Sequence, residues 1–191
     1  GTTDIPRPLH FGEPKPDEIR AYTRVLQGHM ALARAVFPAG TPGIMLEMLA
    51  RAPLWADGMN YLHGTGHGIG AYLNVHEGPM GIGGGAVHAE KIQKNERAKK
   101  MYLAPIEEGM YLSDEPGFYS DGAFGIRLEA DIVVEKAETK FGWGSRPFLK
   151  FKYMTPVPFC RKLIDPSLLS VDEKEWLNSF HTKCRETLTA E

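Results

Sequence analysis

Between Gly58 and Gly85 this 191-residue chain places ten of its 21 glycines, at 58, 64, 66, 68, 70, 78, 81, 83, 84 and 85. A regular helix does not survive that density. Each glycine costs a helix interior about 1 kcal/mol relative to alanine, and positions 64, 66 and 68 alone put three within five residues. The window must fold as turns and short extended pieces, where backbone can approach backbone or a bound group closely. His63, His67 and His76 lie inside it and His88 just after, four of the seven histidines. Imidazole binds metals and moves protons near neutral pH, so function is to be sought where the glycines are.

The flanking segments read more simply. Ile19, Tyr22, Val25, Leu26, Met30, Ala33 and Val36 recur at three- and four-residue steps. They predict an amphipathic helix over 17–37, opened by Pro14 and Pro16. A second helix is predicted from Thr41-Pro42 to just before Pro53, turning Ile44, Met45, Met48, Leu49 and Ala52 toward a core. Pro6 and Pro8 lack ladder donors, which places the first dozen residues at a sheet edge or a strand end. From Phe124 to Val134 the alternation is strict: Phe124, Ile126, Leu128, Ala130, Ile132 and Val134 share one face, and Arg127, Glu129 and Asp131 the other. A strand of that kind is half-solvated or lines a polar cleft. Residues 88–100 read as a solvated loop or short helix. Ser170 and Glu173 form a capping box ahead of Trp176, Leu177, Phe180, Cys184 and Leu188 at helical spacing.

Composition closes off several classes. Lys+Arg 22 against Asp+Glu 24 leaves a net charge of −2, with no excess to attract nucleic acid or an anionic membrane. No apolar run approaches the roughly 20 residues of a membrane span, and no stretch of these 191 residues reads as a signal peptide. Two cysteines, Cys160 and Cys184, cannot build a disulfide framework and fit a reducing compartment. The length argues for one domain, at most with an appendage.

The chemistry narrows by elimination and then by donor type. His63 and His67 have the four-residue spacing of a helical zinc site, but the glycines exclude the helix. Gly64 to Gly70 fit neither phosphate-binding glycine pattern, and the GxGxxA match at 81–86 follows no strand. What remains is His67 between glycines, Glu115 ahead of the Pro116-Gly117 turn, and Glu129 on the polar face of the alternating segment. One imidazole with several carboxylates suits Mn²⁺, Zn²⁺, Co²⁺ or Fe²⁺ and not a thiolate site.

HGTGHGIG (63–70), NVHEGP (74–79), LSDEPGFY (112–119) and GIRLEADIVV (125–134) stand in an order that carries a resemblance. Together they make the sequence similar to the aminopeptidase P and prolidase branch of the pita-bread metallopeptidases. The tail at 157–186 resembles more narrowly the cytosolic eukaryotic Xaa-Pro aminopeptidases. The resemblance implies an α+β pita-bread (creatinase/aminopeptidase) fold, with helices packed on a curved, mainly antiparallel sheet. Residues 1–191 would be the C-terminal part of the catalytic domain, N-terminally truncated, with a C-terminal extension from about 146.

The same resemblance implies a site. Asp4, His67, Glu115 and Glu129 would hold divalent metal, two ions in the family, with manganese expected and zinc or cobalt as alternatives. His63 and His76 would steady the peptide, Glu115 would shuttle a proton to the leaving proline nitrogen, and Arg127 would hold Glu129. The implied reaction releases the N-terminal residue from peptides with proline second, through a hydroxide shared by the two ions. A further family aspartate falls eleven residues before Asp4, outside this sequence, so the chain alone is expected to hold one ion weakly or none. Peptides with penultimate proline are the implied partners, a homodimer is implied, and the implied location is cytoplasmic. A metal-poor binding module on the same fold, or a prolidase, are the alternatives.

Overall fold

Glu18 returns a carboxylate to the Lys15 amide, 2.7 Å away, and so caps the first helix, α1 (Pro16–Ala33). The computed structural model describes residues 3–85 and 94–189, and His88 with the first part of the charged 88–100 stretch lies outside them. α1 ends four residues earlier than its periodicity suggests. Phe37 precedes Pro38, which disfavours helical backbone, and Val36–Pro38 instead pair as strand β1 with residues 148–150.

α2 (Gly43–Trp55) corrects two expectations. It runs through Pro53 into its final turn, and it buries the face opposite to the one predicted. Gly43, Leu46, Glu47, Ala50, Arg51 and Leu54 point inward, while Met45, Met48, Leu49 and Ala52 are exposed, Met45 to 66%. The crossing of α1 over α2 is close because Gly28 has no side chain. A Cβ there would stand 2.1 Å from the Ala50 carbonyl oxygen.

Among the described residues the remaining elements are β2 (Gly66–His67), β3 (Gly81–Ile82), α3 (Glu96–Leu103), β4 (Tyr111–Asp114), β5 (Gly117–Ser120), β6 (Phe124–Arg127), β7 (Ala130–Ala137), β8 (Phe148–Tyr153), a 3₁₀ turn (Arg161–Leu163) and α4 (Val171–Leu188). Four strands form an antiparallel sheet in the order β1-β8-β7-β4, with the β2–β3 and β5–β6 pairs beside it. The alternating segment 124–134 is thus two strands. β6 pairs with β5, β7 pairs with β4 and β8, and at the junction Leu128 and Glu129 donate their amides to Pro116 and Pro6. Residues 3–15 form no strand and reach the sheet through that Pro6–Glu129 bond.

Two apolar clusters hold the layers together. In one, Tyr22, Val25, Leu26 and Met30 of α1 meet Phe159 and Leu177, Phe180 and Cys184 of α4. In the other, Leu32, Leu46 and Ala50 from the helices pack on Leu112, Ile132, Val134 and Leu149 of the sheet. The α4 capping box is formed as predicted, but Trp176 is only half-buried and Leu188, in the last turn, is 62% exposed. With Ile132 and Val134 directed at the helices, the alternation of β7 sends Asp131, and Glu129 before it, to the other face.

Candidate metal centre

Gly66 brings β2 against β4: a Cβ on it would lie 2.1 Å from the Ser113 carbonyl oxygen. His67 follows directly. Its amide donates to Ser113 Oγ at 3.1 Å, and its Nδ1 lies 2.9 Å from the Gly68 carbonyl oxygen, which requires the proton on Nδ1. Nε2 therefore turns toward carboxylates, 3.3 Å from Asp4 Oδ2 and 3.4 Å from Glu115 Oε1. Each acid arrives from a different piece of chain. Asp4 sits in the left-handed region (φ 47°), which Asp tolerates better than most residues. Its segment is strapped down by Arg7, which donates to the carbonyls of Glu129 (2.7 Å) and Val157 (3.1 Å). Glu115 leaves the end of β4 with its amide on the Thr65 carbonyl at 2.7 Å. Glu129 occupies the junction between β6 and β7.

Asp4, His67 and Glu129 each offer a donor atom, all within 4.8 Å of one another. The buried Asp4 Oδ2, Glu129 Oε1 and Asp131 Oδ1 have no hydrogen-bond partner. Burial, then the charges of Glu115 and Asp4, push the Glu129 carboxyl up to about 9. Burial pushes Glu115 up to about 7 against the pull of Arg127, and Asp131 up to about 6. Orphaned oxygens, a lone pair aimed at acids and mutually repelling carboxyls are what one divalent cation relieves. Donors about 2.1 Å from a common ion stand roughly 3.0–3.4 Å apart, the separation seen around Nε2. The donor set fits such an ion.

Around this cluster stand the other side chains named from the sequence. The His76 ring stands edge-on to His67, centroids 4.2 Å apart. Two clefts of about 470 and 440 Å³ both border His67, His76, Arg97 and Met101; the second also takes in His63, Tyr102, Glu115 and Arg127. His63 has both nitrogens engaged, Nδ1 at the Gly64 carbonyl (2.7 Å) and Nε2 at the Tyr119 hydroxyl (2.8 Å). Burial lowers its pKa to about 4, so the ring is neutral at physiological pH. Arg127 does not hold Glu129 as expected. Its Nε donates to the Tyr119 hydroxyl at 2.9 Å and its Nη1 stands 3.9 Å from Glu115 Oε2, because the β6 strand that carries it pairs with β5.

Tyr119, Ser113 and Asp131 were not picked out from the sequence. Ser113 Oγ links His67 to Glu115 (3.3 Å), and Asp131 accepts from the Tyr111 hydroxyl at 3.0 Å. The alternation sets Asp131 on the polar face with Glu129 without giving it a role, and Ser113 and Tyr119 lie inside the 112–119 motif with nothing there to mark theirs.

Residues 1–136 match metallopeptidase family M24, and residues 147–191 match the C-terminal region of that peptidase family. The chain belongs to metallopeptidase family M24. Among similar proteins, a probable Xaa-Pro aminopeptidase P of Paracoccidioides brasiliensis is 51% identical over 186 residues, 97% of this M24 chain and 28% of the relative. Aminopeptidase P1 of Lotus japonicus is 50% identical over 98% of the chain and 26% of its own length. The chain thus spans just over a quarter of these relatives. The crystal structure of X-prolyl aminopeptidase from Caenorhabditis elegans, described as a cytosolic enzyme with a di-nuclear active site, superposes with a TM-score of 0.83 at 38% identity. That match covers 96% of this chain and 27% of the other. The M24 pita-bread fold expected from the motifs is the fold observed. Among the described residues no helix is long and apolar enough to cross a membrane.

Proposed function

We propose that the protein bearing this chain is a metal-dependent aminopeptidase that releases the N-terminal residue from peptides with proline in the second position. The observation that carries the proposal is His67 Nε2 turned to Asp4 and Glu115 at 3.3 and 3.4 Å, with Glu129 completing the donor set. The relatives named as Xaa-Pro aminopeptidases support the choice of substrate class. Asp4, His67, Glu115 and Glu129 would hold divalent metal, with manganese the ion we favour for so carboxylate-rich a set. When bound, such an ion lowers the pKa of a water and polarises a peptide carbonyl.

The chain's own groups do the rest. Glu115, buried and steadied by Ser113 and Arg127, is placed to accept a proton and return it to the departing proline nitrogen. His76, edge-on to His67, offers its ring to the peptide from the cleft wall, and His63, neutral and with both nitrogens engaged, shapes that wall. Arg127 and Tyr119 fix the rim on the Glu115 side. We place residues 1–191 in the C-terminal part of the catalytic domain, with an extension from about 146, in a cytoplasmic homodimer.

The test is hydrolysis of an Xaa-Pro-Yaa tripeptide and an Xaa-Pro dipeptide by the whole protein, with Glu129→Ala as control. Cleavage of the tripeptide, lost in the variant, supports the proposal. Cleavage of the dipeptide alone identifies a prolidase and overturns it, as does equal turnover by both proteins.

A further inference from the structure

The buried face of α2 carries a charge pair where its exposed face carries methionines. Glu47 and Arg51 are each 1% exposed, one helical turn apart, with Arg51 Nη2 2.6 Å and Nε 2.8 Å from Glu47 Oε1. A buried ion pair is weak evidence for stability, since desolvating two ions costs about what their attraction returns. An apolar stripe was available on the same helix and faces solvent, so what turns the charged face inward must lie in what the pair touches.

Arg51 spends every donor. Beyond Glu47, its Nη1 donates to Asn60 Oδ1 (2.7 Å) and the Tyr61 carbonyl (2.8 Å), and its Nη2 to the His63 carbonyl (2.9 Å). The guanidinium also lies over the Tyr61 ring, 3.8 Å from its centroid. Glu47 uses its second oxygen to accept the Gly85 amide at 2.7 Å. The Tyr61 and His63 carbonyls lie in a stretch without regular secondary structure, and each would lose its Arg51 donor at about 1–3 kcal/mol where it is buried. The loop runs on through Thr65, whose hydroxyl meets the Tyr61 hydroxyl at 2.6 Å, into Gly66 and His67.

We propose that the Glu47–Arg51 pair is a positioning device for the cleft: Arg51 sets the Asn60–Gly64 loop that presents His63, and Glu47 fixes the chain leaving β3. Both residues act through the backbone they hold, and neither touches the donor cluster. Lysine cannot replace Arg51, because a single ammonium cannot meet four acceptors spread across a planar fork. The inference rests on the peptidase function proposed above for its kinetic consequence, but not for its structural one.

The whole protein, with its metal as isolated, is compared with Arg51→Lys and with the double variant Glu47→Met/Arg51→Met. The double variant removes both charges at similar volume and leaves no unpaired ion, but it strips the Tyr61 and His63 carbonyls and the Gly85 amide of their partners, so it is expected to fold with a lowered unfolding temperature. In both variants kcat for an Xaa-Pro tripeptide should fall about 100-fold, as for a misplacement of roughly 1 Å, with KM changed less than threefold and metal content unchanged. Amide exchange should accelerate in peptides covering 60–67 and stay as in wild type across 16–33.

Variants within threefold of wild-type kcat/KM overturn the proposal, as does exchange that rises equally in both regions or in neither. If the wild type itself cleaves no Xaa-Pro peptide, the proposed function fails, and the exchange contrast alone then decides for or against the clamp.

Discussion

Replacing Gly66 by alanine is the sharpest probe of how the fold builds its metal centre. The new Cβ would sit 2.1 Å from the Ser113 carbonyl oxygen, so β2 and β4 must separate by at least 0.9 Å to reach even 3.0 Å. Gly66 has an ordinary φ, so the effect is steric and not a loss of left-handed backbone. Two hydrogen bonds lie across that gap, His67 amide to Ser113 Oγ and Glu115 amide to the Thr65 carbonyl. Overpacking costs about 1–3 kcal/mol, and each weakened bond about 0.5–1.5 kcal/mol, so we expect a loss near 3 kcal/mol. At about 2–4 °C per kcal/mol for a domain of this size, the unfolding temperature should drop by roughly 6–12 °C.

The same shift carries His67 Nε2 away from Asp4 and Glu115, so Mn²⁺ affinity should fall about 10–100-fold, the range seen when a ligand loses its supporting contacts. Gly64→Ala is the control. Its Cβ would press on the Tyr102 hydroxyl at 3.0 Å, the free end of a side chain that can swing away, and would meet the Ile82 carbonyl oxygen only at an ordinary 3.6 Å. Calorimetric Mn²⁺ titration and thermal unfolding of the whole protein read both quantities. Equal affinity in Gly66→Ala and Gly64→Ala would refute the argument that β2–β4 contact sets the ligand geometry.

Chelating the metal should lower the unfolding temperature, and restoring Mn²⁺ at 100 times its Kd should return about 2.7 kcal/mol, roughly 5–11 °C by calorimetry. Tyr61→Phe leaves the Thr65 hydroxyl buried without its partner and should cost about 1–3 kcal/mol in urea unfolding. Ser170→Ala removes the α4 cap and should cost about 1 kcal/mol by the same measurement. Asp57 is held near 2 by hydrogen bonds from Arg24 and Arg20. A depressed carboxyl stabilises above its unfolded value and loses that contribution as pH falls through the folded one. Asp57→Asn should therefore be less stable by about 0.5–1 kcal/mol at pH 7, and unfolding curves should show the gap closing between pH 4 and 2.

What the residues disclosed and what they withheld follow from different physics. Alternation along 124–134 correctly reports which way each side chain points, yet it is silent on whom the backbone pairs with. The change of partner at Leu128 therefore escapes it. In α2 two stripes run at helical spacing. Hydrophobicity favours Met45, Met48 and Leu49, but the helix buries Leu46, Ala50 and Leu54 together with Glu47 and Arg51. The loop that makes this orientation pay is unreadable until its coordinates are known. Val36 was absorbed into α1 because a helix-compatible position and a strand position look alike when only one residue decides. At the site, residue types and the order of four motifs name His67, Glu115 and Glu129 as chemistry-bearing. Tyr119 and Ser113 act by position alone, and Arg127 turns to Glu115 because β6 belongs to a hairpin.

The strap from Arg7 to Glu129 and Val157 also sets an order of events during synthesis. Asp4 is made 125 residues before Glu129, an interval of about 6–25 s at 5–20 residues per second. Until then Asp4 lacks its Glu129 neighbour, while α1 and α2 can already form and meet. This donor set is consequently completed late, only when the β6–β7 junction has closed over the segment that carries Asp4.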